Sequence, residues 1–318
     1  VIHTEALTRT FATPDGPVHA VRGVDLDVAA GEAVALLGPN GAGKSTVLNM
    51  LTTLLAPTSG TARVAGLDVA SQPGAIRRVI GVIGQHNGSF GGLRVAEELT
   101  THARLYGIRR REAAERAKRL IDELDLVGLG RRDVAALSGG QRRRLDLAMG
   151  LVHDPDLVFL DEPSTGLDPQ SRANLWDHIA RRRREHGTTV LLTTHYLDEA
   201  DAAADRVLII DHGQIIADGT PDQLKAKVSG DLVAVDLGDP ADVPVAAALA
   251  ARLPGAHQVA TAGTGLTFRI PDGDAVTPEV VRALDAADVR LVGTRVRRPS
   301  LDDVFLTLTG RSLRDDAA

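Results

Sequence analysis

Cysteine is missing from all 318 residues, which excludes disulfides, thiolate metal sites and a cysteine nucleophile. Long apolar runs are missing too: no stretch of about 18 uninterrupted apolar residues occurs, so no segment reads as a membrane-spanning helix. Val1-Ile2-His3-Thr4-Glu5 does not read as a secretory signal. Aromatic residues make up only 3%, and a net charge of −6 with a pI near 5.9 gives no general basis for nucleic-acid binding. Two arginine clusters do not change this. Arg109-Arg110-Arg111 with Arg116 and Arg119, and Arg181 to Arg184, lack interleaved aromatics and sit among Glu112, Glu115 and Glu185, the pattern of solvated helix faces. Anionic lipid headgroups are the other surface that would suit them. With 43% hydrophobic and 25% charged residues, the chain can bury a sizeable core and should hold two or more domains.

The strongest positive signal is Gly38-Pro39-Asn40-Gly41-Ala42-Gly43-Lys44-Ser45-Thr46, which fits G-x-x-x-x-G-K-[ST]. An apolar strand, Ala33-Val34-Ala35-Leu36-Leu37, precedes it, and Thr46 to Leu51 can open a helix, the context that a phosphate-binding loop requires. Gly38, Gly41 and Gly43 let the backbone turn inward so that successive N–H groups face phosphate oxygens at a helix N-terminus. In such loops the lysine, here Lys44, reaches the β- and γ-phosphates and the hydroxyl, here Ser45, coordinates Mg²⁺. A plain glycine-rich connection would need neither Lys44 nor Ser45.

Three further segments narrow the chemistry. Asp156 to Glu162 is an apolar strand ending in two carboxylates, and ligands in an open α/β sheet bind beyond the carboxyl ends of strands. Asp161 is placed to hold Mg²⁺, and Glu162 to face the γ-phosphate and its attacking water; solvated acids capping a strand are the plainer alternative. Thr189 to Thr194 is another strand, ending in His195, which by itself could be structural. Leu137-Ser138-Gly139-Gly140-Gln141 precedes a helix-compatible run, so Ser138 reads as an N-cap and the following amides as a second anion site.

With these motifs in order, residues 1 to about 225 resemble the ATP-binding subunit of an ABC transporter. The resemblance implies that Phe11 stacks on adenine, that Gln85 is the glutamine loop and contributes to Mg²⁺ binding and catalysis, and that Leu137 to Gln141 form the signature. It implies that Asp161 and Ser45 hold Mg²⁺, Glu162 is the catalytic base, Asp168 belongs to the aspartate loop and His195 is the switch histidine. In this family ATP is sandwiched between one chain's phosphate loop and the signature of a second copy, here Ser138 and Gly140, so a head-to-tail dimer is implied. A separate transmembrane permease is implied as well, with the chain held peripherally at the cytoplasmic face of the plasma membrane. The implied fold is α/β: a P-loop NTPase core of RecA type, an antiparallel β layer from residues 1 to about 35, and an α-helical subdomain at about 86–150. Ala113, Ala117, Leu120, Ile121 and Leu124 fall at helical spacing there. Glu97-Glu98-Leu99 departs from the family's Asn-bearing segment after the glutamine loop.

The ATPase domain is expected over 1–220, a linker helix over 221–230, and an accessory domain over 231–318. Strands near 231–237, 256–262, 265–270 and 289–297, with helices near 242–253 and 276–287, follow a β-α-β-β-α-β order, a ferredoxin-like α+β arrangement. Ser300 with Asp303 starts a last helix carrying Leu301, Val304, Phe305 and Leu308 on one stripe. This tail, together with Asp161 to Arg172, resembles the daunorubicin-resistance type of exporter ATPase, which implies outward transport of an amphipathic or apolar compound. Two other classes share the head: a soluble ATPase of DNA repair or translation, and a protein that senses ATP without turnover. The first would show coiled-coil or zinc insertions or a second head, and none is visible; against the second, Lys44, Glu162 and His195 are all present.

Overall fold

A computed structural model of the chain describes residues 1–85, 88–89, 92–228 and 230–310. The first part of the expected helical subdomain (86–87 and 90–91), residue 229 of the expected linker and residues 311–318 of the accessory domain lie outside the described residues. Two compact units divide at residues 221 and 222.

The first unit opens with two long strands, β1 (Ile2–Thr13) and β2 (Gly16–Val28), paired antiparallel through the tight Pro14-Asp15 turn. The core strand β3 (Ala33–Leu37) follows, then α1 (Lys44–Leu51), β4 (Ser59–Val64), β5 (Leu67–Asp68), α2 (Pro73–Val79) and β6 (Ile80–Ile83). Three helices come next, α3 (Val95–Leu105), α4 (Arg110–Glu123) and α5 (Gly139–Leu151), before β7 (Leu157–Asp161), α6 (Pro169–His186), β8 (Thr189–Thr194), α7 (Leu197–Ala203), β9 (Arg206–Asp211) and β10 (Gln214–Gly219); α8 (Pro221–Lys225) straddles the division between the units. Strands β2-β1-β4-β5 form an antiparallel layer, and β10-β9-β3-β8-β7-β6 form the central sheet, parallel except for β10. Every residue of β3, β7 and β8 is buried. Their near-continuous apolar runs are what a parallel strand covered on both faces requires. Their core is shared with the antiparallel layer: Leu36, Phe159 and Leu191 cluster with Ile2, Leu7, Val21 and Val64.

The helical stripe of α4 is buried at Ala113, Ala117 and Leu120, while Arg111, Arg116 and Arg119 pair with Glu115, Glu112 and Glu123 one turn away. That cluster is the expected solvated face. The second cluster departs from the expectation: Arg182 is buried and pairs with Asp154, and Arg183 pairs with Asp205, so both arginines tie α6 to neighbouring loops.

The second unit contains β11 (Asp231–Leu237), α9 (Val243–Ala250), β12 (His257–Ala262), β13 (Gly265–Ile270), α10 (Gly273–Ala286), β14 (Leu291–Arg297) and α11 (Leu301–Thr309). Its all-antiparallel sheet runs β12-β13-β11-β14, with the first strand between the third and fourth, the ferredoxin-like order read from the element sequence. Val233, Val235, Phe268, Val280 and Leu284 form its core. The helix expected over 221–230 ends at Lys225. Ser300 caps α11 reciprocally with Asp303, as the sequence suggests, but the buried stripe is Leu301, Val304 and Phe305 only; Leu308 is exposed and Asp303 is buried instead. The reason is an ion pair: Asp303 faces the buried Arg269 guanidinium of β13 and lies 3.0 Å from Arg297.

Burial pushes the Asp303 carboxyl up, but the Ser300 hydrogen bonds and the Arg269 and Arg297 charges outweigh it and hold the pKa below the usual value. A depressed carboxylate stabilises the fold above its unfolded pKa of about 3.9 and stops doing so as the pH falls through the lower folded value. Asp303→Ala leaves Arg269 buried without its partner and should cost about 3–5 kcal/mol. Urea denaturation followed by circular dichroism at pH 7 checks this, and the difference from wild type should shrink below about pH 4.

Candidate functional site

Adjacent strands β3, β8, β7 and β6 run parallel, so their carboxyl ends emerge at one edge of the sheet. The phosphate loop follows β3, His195 follows β8, Asp161 ends β7 with Glu162 next to it, and Gln85 lies just beyond β6. In-register pairing of Asp161 with Thr193, and of Leu37 with Thr194, sets these ends level. The sheet therefore assembles residues from four separated stretches of sequence.

Within the loop, two glycines are required by close approach. A Cβ on Gly38 would lie 2.2 Å from the Ile210 carbonyl oxygen, and one on Gly43, at φ 104°, would lie 2.5 Å from that of Ala20. The α1 N-terminus begins at Lys44, where the first N–H groups of a helix have no helical partner and favour an anion. Pro39 and Ala42 are buried, whereas Asn40 and Gly41 are exposed at the tip. The Lys44 ammonium is buried, donates to the carbonyls of Gly38 at 2.7 Å and Pro39 at 3.0 Å, and lies 3.5 Å from Glu162. Burial pulls its pKa down, and the carboxylates of Glu162 and Asp161 oppose that pull. Thr46, the last residue of the motif, is half-buried in the first turn of α1.

Next to the loop, Ser45 Oγ donates to Asp161 Oδ1 at 2.9 Å, and Thr193 Oγ1 donates to the same oxygen at 2.5 Å. The Thr193 hydroxyl also accepts from the Glu162 N–H at 3.0 Å, and the Thr193 carbonyl accepts from that N–H at 3.1 Å. These bonds hold Glu162 at φ 43°, a left-handed conformation that a residue with a side chain adopts only when its surroundings over-determine it. The carboxylate of Glu162 is 8% exposed. One oxygen faces Lys44 and, at 3.2 Å, His195 Nδ1; the other accepts from Gln85 Nε2 and Thr165 Oγ1, each at 3.3 Å. The close contact with His195 leads in holding its pKa below the ordinary value, with burial opposing and Lys44 adding to the depression. Glu162 is thus an ionised acceptor at neutral pH. The hydroxyl of Ser45 and the carboxylate of Asp161 are hard oxygen donors side by side, and the Gln85 side chain brings an amide oxygen to the same edge. This donor set, with one carboxylate among its oxygens, fits Mg²⁺, which is usually held by one or two carboxylates and completes its shell with phosphates and water.

The remaining candidates form a second group. Ser138 caps α5, accepting from the Gln141 N–H at 3.3 Å while Gln141 Oε1 accepts from the Ser138 N–H at 3.1 Å. A Cβ on Gly140 would lie 2.4 Å from Ser171 Oγ, whereas Gly139 has open space around it. Ser171 in turn bonds Asp168, the N-cap of α6, through its amide at 2.9 Å and its hydroxyl at 2.6 Å. Those bonds hold the Asp168 carboxyl below its usual pKa. The signature and the aspartate loop are therefore neighbours at two helix N-termini of one chain. Phe11, on β1, carries the Arg9 guanidinium over its ring at 4.6 Å.

Several contributors escape a reading of the sequence. Thr193 joins Asp161 to Glu162, and Thr165 bonds Glu162. Glu199, on α7, accepts from Thr194 Oγ1 at 2.9 Å and from Ser164, linking the end of β8 to the loop after Glu162. Thr193 and Thr194 stand at a strand end beside two acids, a weak signal that only the register turns into contact.

Comparison with known proteins assigns the chain to a family. A model described as ABC transporter matches residues 21–165, and one described as ATP-binding protein DrrA1-3-like, C-terminal domain, matches 219–309. The chain is 43% identical to the daunorubicin resistance ATP-binding protein DrrA2 of Streptomyces coeruleorubidus, over 100% of this chain and 97% of that one. It is 42% identical to the doxorubicin resistance ATP-binding protein DrrA of Mycobacterium tuberculosis, over 92% and 89%. Among solved structures, a dimeric bacterial ABC transporter cassette aligns with a TM-score of 0.64 at 24% identity, covering 69% of this chain and 98% of that one, a likeness of fold.

Thr193→Val keeps the shape of the side chain and removes the hydroxyl between Asp161 and Glu162. Loss of a buried hydrogen-bonding group predicts about 1–3 kcal/mol of destabilisation. The Mg²⁺ dependence of binding a fluorescent ATP analogue should shift to higher concentration. An unchanged melting curve together with an unchanged Mg²⁺ dependence would show that the hydroxyl carries no weight.

Proposed function

The chain belongs to the ATP-binding proteins of ABC transporters, in the daunorubicin- and doxorubicin-resistance group, and from that premise we propose how its residues run the ATPase of an exporter. The observation that carries the reading is the buried, ionised Glu162 carboxylate, held by Lys44, His195 and Gln85 at the edge where the phosphate loop opens.

Phe11, backed by Arg9, offers its ring to adenine. Amides of Gly41 to Thr46 and the Lys44 ammonium bind the β- and γ-phosphates at the α1 N-terminus. Ser45, Asp161 and Gln85 would hold Mg²⁺, which when bound neutralises charge on the β- and γ-phosphate oxygens. Glu162 accepts a hydrogen bond from the attacking water and orients it in line with the γ-phosphorus. His195, 3.2 Å from Glu162, bonds the γ-phosphate and senses its loss in this reading. As the water attacks, the bond from the γ-phosphorus to the bridging oxygen breaks, ADP leaves with that electron pair, and the proton of the water passes to the phosphate product or through Glu162.

The second anion site, at Ser138 to Gln141, is turned to a second copy of the chain. In an ATP-sandwich dimer it would grip the γ-phosphate bound at the other copy's Lys44, and Asp168 would lie beside it at the interface. Among the described residues no helix is long and apolar enough to cross a membrane. A separate permease would therefore carry the cargo and hold this chain at the membrane face. Relatives named for daunorubicin and doxorubicin resistance, and one from Rhizobium meliloti named for Nod factor export, support an amphipathic organic cargo. No observation favours a DNA-repair or translation ATPase.

Glu162→Gln should bind Mg-ATP while turnover falls on the order of 10²-fold or more, and Lys44→Ala should lose both. ATP hydrolysis and ATP-analogue binding by purified protein check this, and wild-type turnover in Glu162→Gln would remove Glu162 from its role. In light scattering, Mg-ATP should double the mass of Glu162→Gln, and Ser138→Arg in the same background should abolish the doubling.

A further inference from the structure

Helix α5 starts at the signature, and its second turn carries Arg143, whose side chain is 6% exposed. Its Nε donates to the Pro163 carbonyl at 2.5 Å and its Nη1 to the Gly84 carbonyl at 2.7 Å. Pro163 is the residue after Glu162, and Gly84 the residue before Gln85. One planar guanidinium therefore sets the separation of the two backbone segments whose side chains meet in the 3.3 Å bond from Gln85 to Glu162. One turn further along α5, Asp146 Oδ1 accepts from the Gly88 N–H at 3.2 Å, a second tie from the same helix to the segment after Gln85. Because a helix moves as a rigid rod over two turns, any shift of Ser138 and Gly140 is carried to Arg143 and from there to the Gln85–Glu162 pair.

We propose that Arg143 is a positioning residue that couples the signature helix to the chain's own catalytic carboxylate, by holding the Gly84 and Pro163 carbonyls at the spacing the Gln85–Glu162 bond needs. The inference rests on the ATPase reading above and deepens it. Nucleotide gripped at the signature, on the second copy's phosphate loop, thereby acts on the hydrolysis of the nucleotide held at Lys44 of this chain. Lysine cannot replace arginine here, because an ammonium is a point donor with no fixed fork to span two carbonyls.

The test is a double-mutant cycle on the purified full-length chain, with Arg143→Lys, Gln85→Ala and the two combined. Arg143→Lys keeps the buried positive charge, and Arg143→Gln is the fallback if the lysine variant does not fold. ATP turnover, KM, ATP-analogue affinity and melting temperature are measured for each. Turnover of Arg143→Lys should fall about tenfold or more with analogue affinity within about twofold of wild type, and the double variant should lose no more than the larger single loss, since both changes break one contact chain. Losses that multiply in the double variant, wild-type turnover in Arg143→Lys, or turnover and affinity falling together would overturn the proposal. Absence of Glu162-dependent hydrolysis in the wild-type chain would instead overturn the ATPase reading, and this inference with it.

Discussion

Everything at the site turns on how an ionised carboxylate can sit at 8% exposure. Taking a charge out of water is costly unless opposite charge and hydrogen bonds replace the hydration shell. Glu162 receives that replacement from four segments at once: Lys44 from the phosphate loop, His195 from the end of β8, Gln85 from beyond β6 and Thr165 from the loop before α6. Each of these segments is positioned by the acid as much as it serves it. The left-handed backbone at Glu162 persists because Thr193 pins its amide from the neighbouring strand. A γ-phosphate entering beside Lys44 would compete for the same cation. The acid, the lysine and the histidine thus form one electrostatic unit that a change in bound phosphate must rearrange.

Three helix N-termini adjoin the candidate residues, and they are built differently. At α1 the anion site is lined by glycine backbone packed against the carbonyls of Ala20 and Ile210, so the loop has little freedom. At α5 and α6 the caps Ser138 and Asp168 satisfy their own helices, and Gly140 is small because Ser171 lies against it. The loop before α1 is buried at Pro39, Ala42 and Gly43, whereas Ser138 and Gly139 at the start of α5 are exposed. The body of α5 ties the two halves together, since its buried Arg143 reaches the backbone on either side of the Gln85–Glu162 bond.

Much of this was legible before any coordinates. The strands β3, β7 and β8 show as short apolar runs, the phosphate loop shows as a spacing of glycines with Lys44 and Ser45, and the ferredoxin-like unit shows as an element order with turn residues between. The resemblance to a family then supplied roles for Phe11, Gln85, Asp168 and His195 that their local sequence could not. What escaped was chemistry made by pairing across strands or helices. Thr193 is one threonine among several, Arg182 one arginine in a run of four, and Asp303 looks like a solvent-side cap until Arg269 appears opposite it. Side chains of this kind acquire meaning only from a partner far away in sequence.

The sequence by itself pointed to the glycine-rich loop with Lys44 and Ser45, the core strands β3, β7 and β8, the element order of the second unit and the caps at Ser138 and Ser300, because each depends on residues within a few positions of one another. Only the tertiary structure decided which carboxylate faces which cation, that Thr193 bridges Asp161 and Glu162, and that Arg143 spans two loops. Those choices follow from strand register and helix packing, where a shift of one residue turns a side chain to the opposite face, and no local pattern records the register.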